Sequence, residues 1–117
     1  MISARDWDTL ALQVYQANRS QGFYDSLDGL SGPNVESVIL TQRLALIATE
    51  VGEAIDAVRK PGPSEHIPEF SGLEEELADV VIRILDLSGY KRLRVAEAIQ
   101  AKLEYNQTRP KRHGKLM

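Results

Sequence analysis

Ser71-Gly72-Leu73-Glu74-Glu75-Glu76-Leu77-Ala78-Asp79-Val80-Val81-Ile82-Arg83-Ile84-Leu85-Asp86-Leu87-Ser88-Gly89 is the stretch on which the fold turns. Val80-Val81-Ile82 at its centre is β-branched and invites a strand. Apolar residues nevertheless return every three to four positions across the whole stretch, the period of a helix rather than a strand. Ser71 followed by Glu74 forms a capping box, which starts a helix by satisfying its first free N–H groups. Ser88-Gly89 reads as its stop. The expected helix covers 71–87, and with it the only plausible strand leaves the chain.

The same logic extends outward. Upstream, Val38, Ile39, Leu44, Ile47, Val51, Ile55 and Val58 mark a long helix over 34–59, halted by Pro61-Gly62-Pro63. Before it, Gly22, Gly29, Gly32 and Pro33 make 21–34 a loop. Trp7, Leu10, Ala11, Val14 and Ala17 place a first helix at 3–19, with Ser3 as N-cap and Asp6 completing an imperfect capping box. Val95, Ile99 and Leu103 place a last helix at 93–108, ending before Pro110. These elements predict an all-α fold with a four-helix bundle-like core. So short a bundle buries little apolar surface by itself, so a homo-oligomer is expected.

Length and composition agree with that picture. A chain of 117 residues fits one domain over 1–117, with a basic tail at 109–117. Hydrophobic residues at 43% and charged ones at 26% exclude a disordered chain. The absence of cysteine excludes disulfides and Cys-ligated zinc. No apolar run approaches the roughly 20 residues that span a bilayer. The opening Met1-Ile2-Ser3-Ala4-Arg5-Asp6-Trp7-Asp8 has no signal-peptide core, so a cytoplasmic location is expected. Charge is unevenly spread. Residues 1–90 hold 6 Lys/Arg against 15 Asp/Glu, whereas 91–117 hold 8 against 2. An acidic working region served by a basic C-terminal segment is one reading; a soluble body with a solvated basic end is the other.

The acidic region contains two spaced pairs, Glu50-Val51-Gly52-Glu53 and Glu76-Leu77-Ala78-Asp79. At i, i+3 each pair lies on one helix face, where like charges repel by roughly a few tenths of a kcal/mol. Around Glu50 and Glu53 the flanking positions Leu46, Ile47, Ala54 and Ala57 supply no cation, although Arg83 lies four residues after Asp79. If the two helices pack antiparallel, Glu50, Glu53, Glu76 and Asp79 converge as oxygen ligands for a divalent cation. Hard Mg²⁺, or Mn²⁺, suits such a set and keeps positions open for phosphate. Two solvated acidic faces are the plainer alternative. A ferritin-like di-iron site needs Glu-x-x-His on two helices, and neither His66 nor His113 satisfies that.

On the last helix Lys102, Tyr105, Asn106 and Arg109 share a face. Their chemistry suits phosphate oxygens, although a solvated helix end would look the same. Arg83 and Asp86 continue the Glu76/Asp79 face and are candidates either for a mutual ion pair or for contact with a nucleobase. Trp7, Phe23 and Tyr24 can stack on a base or simply fill the core. No Walker motif, no GxGxxG and no nucleophile with a partner base is present.

The ordered set Thr49-Glu50-Val51-Gly52-Glu53-Ala54, Glu75-Glu76-Leu77-Ala78-Asp79-Val80 and Lys102 to Arg109 resembles the MazG-type all-α nucleoside triphosphate pyrophosphohydrolases. Gly22-Phe23-Tyr24-Asp25, Arg109-Pro110 and His113-Gly114-Lys115 are similar to elements of the compact single-domain members. The resemblance implies a four-helix core, dimeric or tetrameric. It implies Mg²⁺-dependent cleavage of a nucleoside triphosphate between the α- and β-phosphates, with Glu50, Glu53, Glu76 and Asp79 as metal ligands. Lys102 and Asn106 would hold phosphate, joined by Tyr105 and Arg109. We expect Glu53 to position the attacking water and Lys102 to offset charge on the phosphate oxygens. Many members carry an acid where Thr49 stands. Two rivals are a non-enzymatic helical interaction module and a nucleic-acid binder using Arg109, Lys111, Arg112 and Lys115; the acidic first 90 residues argue against the latter.

Overall fold

Side-chain caps start the first and third helices where the sequence places them. A computed structural model describes residues 3–110 and contains α1 (Ala4–Ser20), α2 (Val35–Arg59), α3 (Gly72–Lys91) and α4 (Val95–Gln107). Ser3 Oγ accepts from the Asp6 N–H at 3.1 Å and opens α1. Ser71 Oγ accepts from the Glu74 N–H at 3.1 Å, while Glu74 Oε1 accepts from the Ser71 N–H at 3.0 Å, completing the capping box. Among the described residues there is no strand, only an isolated bridge between Pro63 and Ser71. The fold is all-α.

One boundary differs from expectation. Helix α3 does not stop at Ser88-Gly89 but runs to Lys91, and the chain turns at Arg92 in the left-handed region, φ 52°. Gly89 serves packing instead. A Cβ built on it would stand 2.4 Å from the Ala11 carbonyl oxygen and 2.7 Å from Tyr15 Cβ. Its bare backbone therefore lets α1 and α3 approach closely.

Helix α3 is the centre of the structure, with α1 and α2 packed on it and α4 resting on α1. The core is small: Ala11, Ile39, Ala54, Leu85, Leu87 and Ala96, together with Tyr24. Tyr24 comes from the glycine-rich connection yet is the most deeply buried large side chain, 1% exposed. Its ring meets Tyr15 edge-on at 5.2 Å and lies 5.0 Å from Tyr90, and the Arg43 guanidinium sits 4.2 Å from its centroid.

Helices α2 and α3 form an antiparallel seam whose contacts fall seven residues apart along α2. Gly72 approaches Ala57; Arg83 pairs with Glu50; Arg43 and Asp86 meet through Tyr24; Lys91 pairs with Glu36. Positions 36, 43, 50 and 57 thus occupy one heptad face of α2. The apolar residues expected to line its core are distributed differently. Ile39 is buried and Ile47 half-buried, but Val38, Leu44, Val51, Ile55 and Val58 are exposed. Apolar residues on α2 occupy more than one face, and only one face meets α3. Helix α4 is exposed from Glu97 onward. The four helices therefore leave an open arrangement with a radius of gyration of 17.0 Å, against about 13 Å for a compact domain of this length.

The close approach at Gly89 is testable against a glycine in open space. Gly89→Ala should destabilise by about 1–3 kcal/mol, the range for overpacking. Gly52→Ala, where nothing lies within 4 Å of the added methyl, should stabilise by up to about 1 kcal/mol. Urea unfolding of the two variants checks both signs.

Candidate metal centre

The antiparallel seam brings Glu50 of α2 to Glu76 and Asp79 of α3. One carboxylate oxygen from each lies within 4.8 Å of the others, and all three residues are half-buried. Glu53 is not in this group; it stands one turn along α2 and is exposed. Arg83 Nε donates to Glu50 Oε1 at 2.8 Å, with the Glu50 side chain 14% exposed and that of Arg83 37% exposed.

Electrostatics shows that this cluster carries surplus negative charge. Burial, then Asp79, Glu75, Glu50 and Glu53, push the Glu76 carboxyl above its ordinary range. Burial, then Glu50 and Glu75, push Asp79 up as well, with Arg83 and His66 pulling the other way. Three carboxylates on rigid helices with one cation among them make a site that can hold a metal ion.

Glu75 lies between cluster members in sequence but faces elsewhere. It accepts a hydrogen bond from Ser64 Oγ, and its other oxygen lies 2.9 Å from His66 Nδ1. Both bonds hold its carboxyl below the ordinary range, and the same contact raises the His66 imidazole. Ser64 Oγ also accepts from the His66 and Ile67 N–H groups at 3.2 and 3.0 Å. This knot ties the Pro-rich connection to the start of α3, so His66 is a loop anchor.

The remaining candidates are distributed as follows. Arg83 and Asp86 do not pair with each other: Arg83 takes Glu50, and Asp86 Oδ2 accepts from Tyr24 Oη at 2.8 Å in the buried layer. Burial and that hydrogen bond raise the Tyr24 phenol well above its ordinary value. Tyr24 is thus a core residue, Phe23 is exposed, and Trp7 is half-buried on α1 with its Nε1 buried. Lys102, Tyr105, Asn106 and Arg109 are exposed on or just beyond α4, with the Lys102 ammonium 4.6 Å from the Tyr105 ring centroid. Helix α4 packs on α1 rather than α2, so the chain does not bring this stripe onto the carboxylate seam. Lys111, Arg112, His113, Gly114 and Lys115 lie outside the described residues. Arg43 and Ser64 carried no signal in the sequence: each is a polar residue whose burial only the fold reveals.

A MazG nucleotide pyrophosphohydrolase domain model matches residues 40–113. The chain belongs to the MazG family. No curated protein and no solved structure matches it. The family match covers both acidic motifs, the convergent cluster and α4, while α1 and the glycine-rich connection lie before it. Among the described residues no helix is long and apolar enough to cross a membrane. A groove of about 550 Å³ between the start of α1 and the end of α3 is lined by none of the clustered carboxylates. In this MazG chain the carboxylate cluster is half-buried in the seam between α2 and α3.

The raised carboxyls give a pH prediction. Glu76 and Asp79 bind protons more tightly in the folded chain than in the unfolded one, so their penalty is present at neutral pH. It is relieved as pH falls through the raised folded values. Without divalent ions, Glu76→Gln should raise the melting temperature at pH 7 by about 1–4 °C, as expected for relief of one like-charge contact. The gain should vanish near pH 4, about where ordinary carboxyls protonate. Melting curves of both proteins in chelator across that range provide the check.

Proposed function

We propose that this MazG protein is a Mg²⁺-dependent nucleoside triphosphate pyrophosphohydrolase, cleaving between the α- and β-phosphates to give a monophosphate and pyrophosphate. The observation that carries this reading is the convergence of Glu50, Glu76 and Asp79 in a domain of this family. Glu50, Glu76 and Asp79 would hold Mg²⁺, with Mn²⁺ as a substitute, and Glu53 would stand at the rim. A divalent ion held there would supply charge neutralisation of the triphosphate and polarisation of its oxygens.

The chain's own residues divide the remaining work. Glu53, exposed one turn from Glu50, is suited to accept a hydrogen bond from water and orient it toward the α-phosphorus. Lys102 and Asn106, with Tyr105 and Arg109 beside them, supply donors for phosphate oxygens. Lys102 also opposes the charge that develops during cleavage. Trp7 is the aromatic candidate for the base, whereas the buried bond from Tyr24 to Asp86 favours a structural role for Asp86.

Assembly belongs to this reading. Helix α4 packs on α1, away from the seam, and apolar side chains of α2 and α4 remain exposed. A homodimer or homotetramer that covers these faces would also wall the site, in a protein that works in the cytoplasm. Light scattering should therefore give a mass above 13.0 kDa, and a monomer at high concentration would remove this part of the reading.

The chemistry is tested by product analysis. With Mg²⁺ the products should be nucleoside monophosphate and pyrophosphate; chelator should abolish them, and release of orthophosphate with a diphosphate would reject the α–β position. Glu50→Gln, Glu76→Gln and Asp79→Asn should each lower kcat/KM by about 100-fold or more, an effect of the size seen when an electrostatic group in a site is lost. Lys102→Ala should weaken triphosphate binding while leaving Mn²⁺ binding without nucleotide within about twofold, because one distant exposed charge is largely screened. Wild-type turnover in all three carboxylate variants would sink the proposal.

A further inference from the structure

Arg83 is the only cation bonded to the three clustered carboxylates among the described residues, and it bonds to Glu50 through Nε alone. Its two Nη groups make no hydrogen bond among the described residues, and its side chain is 37% exposed. We propose that Arg83 is a resident counter-cation that competes with the metal for Glu50 and, once displaced, clamps the phosphates of the incoming triphosphate. This rests on the reading of Glu50, Glu76 and Asp79 as the cation site.

Charge and geometry carry the inference. Without another cation the cluster is crowded with like charges, and Arg83 partly offsets them from within the seam. A divalent ion at the same carboxylates would stand within a few ångströms of the guanidinium and repel it. Arg83 then needs another acceptor. Asp86, three residues on, is unsuitable: it is 5% exposed and engaged by Tyr24. Asp79, four residues back, belongs to the cluster. Solvent, or an anion arriving at the exposed part of the Arg83 side chain, is what remains. The planar fork of Nη donors matches phosphate oxygens in pairs, which an ammonium does not. Arg83 is therefore placed to oppose the metal alone and to favour the metal with its triphosphate. Because linkage is reciprocal, metal and triphosphate should each strengthen the other's binding through this one side chain.

Calorimetry on the full chain separates this role from that of a structural ion pair. The probes are Mn²⁺ alone, and inorganic tripolyphosphate at saturating Mg²⁺, which avoids any dependence on the base. Arg83→Gln should bind Mn²⁺ roughly 3- to 10-fold more tightly, the size expected for removing one partly screened pair. It should bind Mg²⁺-tripolyphosphate roughly 10-fold more weakly, as for loss of one charge-assisted contact. A merely structural pair predicts no gain in Mn²⁺ affinity. Unchanged or weaker Mn²⁺ binding, or unchanged tripolyphosphate binding, overturns the proposal. If the glutamine variant does not fold, Arg83→Lys is the test. It keeps the charge without the fork, so Mn²⁺ affinity should stay within about twofold while tripolyphosphate binding falls about threefold; unchanged tripolyphosphate binding overturns the proposal. Failure of wild-type protein to bind Mn²⁺, with Glu50→Gln no different, overturns the underlying cation site as well. Mn²⁺ binding by the wild type, lost in Glu50→Gln yet not raised in Arg83→Gln, overturns the role of Arg83 alone.

Discussion

Repulsion among Glu50, Glu76 and Asp79 is the constraint around which α2 and α3 are arranged. One oxygen from each lies within 4.8 Å of the others, and burial together with this repulsion raises the Glu76 and Asp79 carboxyls. Two polar ties flank the cluster and hold the helices against that cost. On one side Ser64, His66 and Glu75 fasten the connecting loop to the first turns of α3. On the other, Tyr24 joins Asp86 and packs beneath Arg43. Seven residues separate Arg43 from Glu50 on α2, and seven separate Asp79 from Asp86 on α3. The second tie therefore lies on the same helix faces as the acidic cluster, two turns away.

Three consecutive glutamates show how location divides labour among identical side chains. Glu74 bonds the Ser71 N–H and closes the capping box. Glu75 turns about 100° further round the helix to the loop and accepts from Ser64. Glu76 turns again and reaches the cluster. Bonds to hydrogen donors hold Glu74 and Glu75 below the usual carboxyl range, while burial and neighbouring acids push Glu76 above it. Only the last is left with a charge that calls for a cation.

The legible part of the sequence was its local chemistry. Ser3, Ser71 with Glu74, and Pro61-Gly62-Pro63 mark helix ends through interactions within a few residues, and the structure agrees at each. The ExxE and ExxD spacings, with antiparallel packing assumed, placed Glu50 and Glu53 against Glu76 and Asp79; three of the four converge, and Glu53 stands one turn away. What stayed hidden depends on distant partners. Gly89 looks like a helix stop until α1 is laid against it. Tyr24 looks like a loop aromatic until Asp86, 62 residues away, accepts its hydrogen bond. The fate of the apolar residues on α2 was hidden for a related reason: period reveals a helix, but it does not say which face the neighbouring helix will cover.

The Asp86 layer explains why such costly polarity is kept in a small core. Asp86 Oδ1 and Arg43 Nε are buried without partners among the described residues, and each unmet group is worth about 1–3 kcal/mol of desolvation. An apolar layer of the same volume could be as stable or more so. It would, however, let α2 and α3 settle in neighbouring registers, because dispersion contacts between apolar ridges are weakly directional. The hydrogen bond from Tyr24 Oη to Asp86 Oδ2, with Arg43 over the ring and donating to the Phe23 carbonyl at 3.0 Å, has one geometry. A slip of one turn, about 5.4 Å, would break it. The same slip would move Glu50 away from Glu76 and Asp79 by more than the 4.8 Å that now defines their cluster. The buried polar layer thus fixes, from two turns away, the one distance on which a carboxylate site depends.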